Sequence, residues 1–241
     1  MKASFTYGDE RYDYDVCFTP DRRSKIAIHV HPDASVQVDA PEGEEPLRIQ
    51  RAVLKRARWI KTHVDQAKEQ KRHALPRRYV SGESHFYLGR RYQLKVLKPN
   101  GSGSAVKLMR GRIRVETADR DPDIVKERLS RWYRQRAADV FERRLEAIVE
   151  HVDWLKEVPP VRLLTMKKQW GSCSPNGTVF LNPHLVKAPR ECIDYVIAHE
   201  LCHLKEHNHS PRYYRLLREI LPGWEPVKAR LDGMAELLLN E

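Results

Sequence analysis

The chain has 241 residues, with 41% hydrophobic and 32% charged residues and a formal net charge of +11. That length suits one large domain or two small ones, and the ordinary apolar content excludes a disordered chain. No stretch approaches the ~20 apolar residues that span a bilayer, and Met1 to Cys17 is too interleaved with Asp, Glu and Arg to be a signal peptide. The four cysteines, Cys17, Cys173, Cys192 and Cys202, form no Cys-x-x-Cys pair and are too few for a disulfide scaffold, so the expected compartment is reducing and cytoplasmic, with no membrane.

The charge is uneven. Arg48 to Arg78 holds 11 basic residues against Asp65 and Glu69, and Leu88 to Arg114 holds 8 basic residues and no acid. His151 to Glu241 is nearly neutral, with 12 Lys and Arg against 11 Asp and Glu. The basic stripes of the N-terminal half suit a nucleotide or nucleic-acid partner, or form a solvated face.

Residues 1 to 47 read as short strands. Ser24 to Val30 and Ser35 to Ala40 alternate in polarity, with a turn at Pro32-Asp33. From Pro46 the period changes to that of a helix, with Ile49, Val53, Trp59, Ile60 and Val64 on its stripe and a break at Pro76. Strands return at Gly89 to Leu97. After a loop at Asn100 to Ser104, Val106 to Leu108 and Ile113 to Val115 flank Gly111 as a hairpin. No internal repeat is evident.

Asp121-Pro122 reads as an N-cap and first helical residue. An apolar stripe from Ile124 to Val149 then predicts a helix of about seven turns. Two strands follow, Val161 to Lys167 and Thr178 to Asn182, with Gln169 to Ser174 between them. Helices are predicted over Arg190 to about Glu206, Arg212 to Ile220 and Glu225 to about Leu239. The class is α+β: a β-rich N-terminal domain with one helix over 1–121, and a second domain over 122–241.

His199 and His203 are four residues apart inside an apolar-periodic helix, so both imidazoles fall on one face and can reach one ion. Glu200 lies beside them. A catalytic zinc needs a third ligand from downstream, for which His207, His209 and Glu219 are candidates. His209 is favoured, because Asn208 ends the helix before it and Ser210-Pro211 caps the next one after it. Glu219 is the runner-up. In such a site zinc acidifies a water, Glu200 accepts the proton, and a phenol such as Tyr213 or Tyr214 stabilises the oxyanion. The strand Thr178 to Asn182 is a candidate edge for an extended peptide, with Asn182 near the substrate. Cys202 and Cys173 are alternative thiolate ligands, although a helix cannot easily aim Cys202 at the ion that His199 and His203 share.

Trp170-Gly171-Ser172-Cys173-Ser174, Leu181-Asn182, Asp194 to Leu204 with its His-Glu-Leu-Cys-His core, and Asn208-His209-Ser210 together resemble the YgjP-like metallopeptidase family, relatives of the SprT-like and WLM zincins. Arg22 to Lys25, Trp59-Ile60, Ser81 to Glu83 and Tyr87 to Tyr92 extend the resemblance to nearly the whole chain. It implies a zincin-like catalytic domain with a small three-stranded sheet over the metal helix. It also implies Zn2+ held by His199, His203 and His209, Glu200 as base, and a protein or peptide substrate. Gln169 departs from the family's usual Arg, and Tyr213-Tyr214 from a Phe-Trp-like pair. Alternatives on the same metal are a nucleotide pyrophosphatase acting on UTP, an activity assigned to proteins resembling this one, and a DNA-associated protease. A non-catalytic zinc module would have no use for Glu200.

Overall fold

The computed structural model describes residues 1–19, 26–31, 33–73, 77–99, 105–155, 157–167 and 169–239, apart from the side chains of Thr19 and of residues 70–73. The Arg22 to Lys25 run, the turn at Pro32, the break at Pro76 and the loop 100–104 lie outside them. The chain forms two compact units, Met1–Leu75 and Pro76–Glu241.

In the first unit, β1 (Lys2–Tyr7) and β2 (Glu10–Thr19) form a hairpin, as do β3 (Ala27–Val30) and β4 (Val36–Pro41). The hairpins join through parallel β2 and β4, giving the order β1-β2-β4-β3. Period-two alternation decides which face is buried: Tyr12, Tyr14 and Val16 are buried while Arg11, Asp13 and Asp15 are exposed. That face shares its core with Ile49 and Val53 of α1 (Pro46–Lys55) and Ile60 and Val64 of α2 (Ala57–His73).

The periodicity predicts one helix from Pro46; the structure has two, divided at Arg56 (φ −110°, ψ 12°). The break leaves the helical phase unchanged: Ile49, Val53, Ala57, Ile60 and Val64 keep one buried stripe across it, and Trp59, roughly a third of a turn round from that stripe, is 39% exposed rather than on it.

The second unit opens with β5 (Ser84–Tyr87), β6 (Arg90–Leu97), β7 (Val106–Met109) and β8 (Arg112–Glu116), in the order β5-β6-β8-β7. Hairpins β5–β6 and β7–β8 again join through a parallel central pair, β6 and β8. This is the plan of the first sheet, so the fold contains a topological repeat that the sequence does not announce.

Helix α3 (Pro122–Val149) starts where expected, with the Asp121 carboxylate accepting from the Asp123 backbone N–H at 2.8 Å. Val125 and Leu129 of α3 share one core with Leu94 and Ile113 of the sheet and with Ile193 and Ile197 further on. Residues 76–121 therefore group with the C-terminal part of the chain. The observed division falls at 75/76, whereas composition places it at 121/122; a change from strand to helix is not a change of core.

A small sheet follows, in the order β10-β11-β9, from β9 (Val161–Leu163), β10 (Gly171–Cys173) and β11 (Val179–Leu181). It is the three-stranded sheet that the family resemblance implies, and β10 falls in the segment read from local pattern as a connection. A 3₁₀ turn (Pro183–Lys187) leads into α4 (Arg190–Cys202), then α5 (Pro211–Ile220) and α6 (Trp224–Leu239). Among the described residues no helix is long and apolar enough to cross a membrane.

Candidate metal centre

Helix α4 is almost wholly buried from Cys192 to Cys202, which fixes its rotation tightly. Arg144 of α3 clamps it with a two-pronged ion pair to Asp194, Nε–Oδ1 at 2.6 Å and Nη2–Oδ2 at 2.8 Å. The helix ends at His203, its C-cap, rather than at Glu206. The Glu206 backbone N–H donates to the Cys202 carbonyl at 2.9 Å as the chain turns, and the Ser210 hydroxyl caps α5 by accepting from the Tyr213 N–H at 3.2 Å. This bend returns His209 to the face of α4.

The outcome is one cluster. The nitrogens offered by His199, His203 and His209 all lie within 4.8 Å of one another, the one group of three or more metal-type side chains among the described residues. His207, Glu219, Cys173 and Cys202 are outside it. Nε2 of His199 and Nε2 of His209 are 3.2 Å apart, close to the edge of a tetrahedron with metal–nitrogen bonds of ~2.0–2.1 Å, roughly 3.3 Å. The His203 Nδ1 lies 3.2 Å from the Glu206 carbonyl. A carbonyl can only accept, so this ring holds its proton on Nδ1 and keeps the Nε2 lone pair free. Burial pushes the pKa of His199 well below its ordinary value, helped by His209 and His203, and burial lowers that of His203. Neutral imidazoles are the form that binds a cation. By donor type, spacing and protonation the three residues fit a metal ion.

Glu200 is buried, and that burial pushes its carboxyl up to about 8. It sits against Gly171 of β10: a Cβ at that position would be 2.6 Å from Oε1 of Glu200. Only glycine leaves room for this carboxyl. Local sequence could not reveal the contact, because it joins residues far apart in the chain. Burial, then the charge of Glu200, raises the Cys173 thiol; burial first raises Cys202 to about 12. Both are thereby kept as thiols near neutral pH, poor competitors for a cation.

The other sequence candidates separate. The Tyr213 ring packs within 4.6–5.4 Å of all three imidazoles, but its hydroxyl donates to the His199 carbonyl at 2.9 Å. Tyr214 is 38% exposed, with its ring 6.2 Å from that of His209 and stacked on Trp224. Asn182 is buried: its amide donates to the carbonyls of Met166 and Gln169 and its oxygen accepts from the His184 N–H, so it holds the loop before β10 rather than facing a ligand. Strand β11 is the middle strand, paired on both sides, and the edges are β10 and β9. The peptide-binding edge expected at Thr178 to Asn182 is therefore not an edge; a segment's apolar pattern does not encode its place in a sheet.

Residues 24–234 match the YgjP-like metallopeptidase domain, and the chain belongs to that family. No curated protein matches it. Among solved structures it is similar to the metallopeptidase zymogen abylysin of Pyrococcus abyssi, at 25% identity over 42% of this chain and 94% of that one, with a TM-score of 0.34. Similar figures hold for the zymogen jannalysin of Methanocaldococcus jannaschii: 25% identity, 42% and 96% coverage, and a TM-score of 0.33.

Proposed function

We propose that the chain is a zinc-dependent peptidase in which His199, His203 and His209 hold the ion and Glu200 is the general base. The convergence of three imidazole nitrogens, with the buried carboxyl of Glu200 on the same helix as His199, carries this reading. A set of three imidazoles favours zinc over magnesium or calcium. Bound there, zinc would acidify a water and polarise the scissile carbonyl.

The protein's own residues do the rest. Glu200 takes the proton of the attacking water on its carboxylate and returns it to the leaving amine. Burial against Gly171 holds that carboxyl in place on the metal helix. Gly171 lets β10 lie against this carboxyl, so the edge strand beside α4 is where an extended peptide would align through main-chain hydrogen bonds. Tyr213 supports the ligands from behind, and Tyr214 is the phenol left to meet the developing oxyanion.

The test is zinc content together with casein cleavage. Glu200→Gln should keep a full complement of zinc and lose cleavage by about 10²-fold or more. His209→Ala should lose zinc. Cleavage that survives Glu200→Gln, or a wild type that stays metal-free in excess zinc, would overturn the reading. Nucleotides assayed with the same variant would show whether any pyrophosphate release arises at this centre.

A further inference from the structure

The first unit carries a surface feature that the metal centre does not use. Where α1 gives way to α2, Lys55, Arg56, Arg58, Trp59, Thr62 and His63 line a groove of about 490 Å³. Three of these are cations and none is an acid. Among the described residues, Lys55, Arg56 and Arg58 have no ion pair. Nearby cations are neutralised: Arg48 pairs with Glu44, and Lys61 with Asp65 and Glu10.

Trp59 lies off the buried stripe of Ala57, Ile60 and Val64 and lines this groove, 39% exposed. The indole is backed on one side. The His63 ring lies 4.2 Å from it at 33°, and Nδ1 of His63 donates to the Trp59 carbonyl at 2.9 Å. The Thr62 hydroxyl is tied in the same way to the Arg58 carbonyl at 3.0 Å. The result is a supported aromatic platform ringed by unpaired cations.

We propose that this groove binds single-stranded nucleic acid, with a base stacked on Trp59 and phosphates on Lys55, Arg56 and Arg58. A flat π-face and adjacent positive charge are the two elements with which proteins hold unpaired strands. An acidic peptide would satisfy the cations and leave the indole unused. A duplex would satisfy them too, but its bases are stacked away from the indole. The groove lies in a different unit from the metal cluster, so the proposal stands or falls independently of the peptidase reading.

The experiment uses the full chain and a fluorescent oligo-dT of about a dozen nucleotides, followed by anisotropy from about 50 to about 200 mM salt. Three phosphate contacts predict a slope of log K against log salt near −2, at ~0.7 per contact. Trp59→Ala should weaken binding about tenfold, and Trp59→Phe should stay within about threefold of wild type. Arg56→Glu with Arg58→Glu should flatten the slope by more than about 1. An unchanged melting temperature and circular dichroism spectrum would show that each variant is folded. The proposal is overturned if the oligonucleotide does not bind at the lowest salt, or if binding ignores Trp59→Ala. It is equally overturned if polyglutamate, duplex DNA or free UTP displaces the strand as well as unlabelled oligo-dT does, since those results mark an acidic-peptide, duplex or mononucleotide site.

Discussion

The sheet β1–β4 with α1 and the sheet β5–β8 with α3 share strand order, pairing senses and register, yet they are put to different use. Tyr14 and Val16 pair with Val36 and Val38 as Leu94 and Val96 pair with Ile113 and Val115. Each following helix starts with proline and buries the residues three and seven places on: Ile49 and Val53 after Pro46, Val125 and Leu129 after Pro122. The first hairpin tip, Gly8-Asp9, has nothing within 4 Å of where a Gly8 Cβ would lie. The second tip is engaged. The N–H groups of Leu88 and Gly89 donate to the carbonyls of Val186 and Lys187 at 2.9 and 3.1 Å, and a Cβ on Gly89 would be 2.9 Å from Cα of Pro189, the N-cap of α4. The same scaffold that is free at its tip in the first unit anchors the launch of the metal helix in the second.

The sharpest way to break this comparison is at the two tips. Both glycines have positive φ, +62° at Gly8 and +76° at Gly89. Gly8→Ala carries only the backbone cost, about 1 kcal/mol. Gly89→Ala adds a clash with backbone that cannot swing away, for a total of about 3 kcal/mol. Urea unfolding measures both, and equal losses would show that the second tip does not bear on α4. A smaller effect is expected at the equivalent fully buried residues Val38 and Val115. Alanine at either should cost about 2 kcal/mol. Only Val115→Ala should speed the loss of the bound metal to a chelator, because its core is shared with Ile193 and Ile197 of α4.

The repeat is hard to read in sequence because burial preserves only parity and apolarity. Tyr7, Arg11, Tyr12 and Val16 recur as Tyr87, Arg91, Tyr92 and Val96, all 80 residues on, but the residues between them differ. The meeting of His199 and His203 was legible, since helical period alone brings residues four apart onto one face. The return of His209 was legible in outline from a helix terminator followed by a cap. The contact of Gly171 with Glu200 and the central place of β11 were not. Each depends on which element lies beside which, and short-range pattern does not carry that.

His85 offers the subtlest test, because it occupies the place that Phe5 holds in the first sheet: His85 pairs with Tyr92 as Phe5 pairs with Tyr12. Both are buried. Burial, with the charges of Arg77 and Lys187, pushes His85 down to about 3. The Glu83 carboxylate is 3.5 Å from Nε2, but it is also held by Arg77 and by the backbone N–H groups of Arg78 and Tyr79. The folded protein therefore keeps this imidazole neutral, while the unfolded chain takes up a proton below its ordinary value near 6.5. Stability that is complete above that value is lost as pH falls towards 3, at up to about 1.4 kcal/mol per pH unit. His85→Phe restores the residue of the first sheet and removes this loss. At pH 7 the variant should lie within about 1.5 kcal/mol of wild type, and the difference in unfolding free energy should move in its favour from pH 6 to pH 4. His184, which burial also holds down to about 3, is common to both proteins and cancels. A difference that stays flat across that range would show that His85 accepts its proton in the folded state as readily as in the unfolded one.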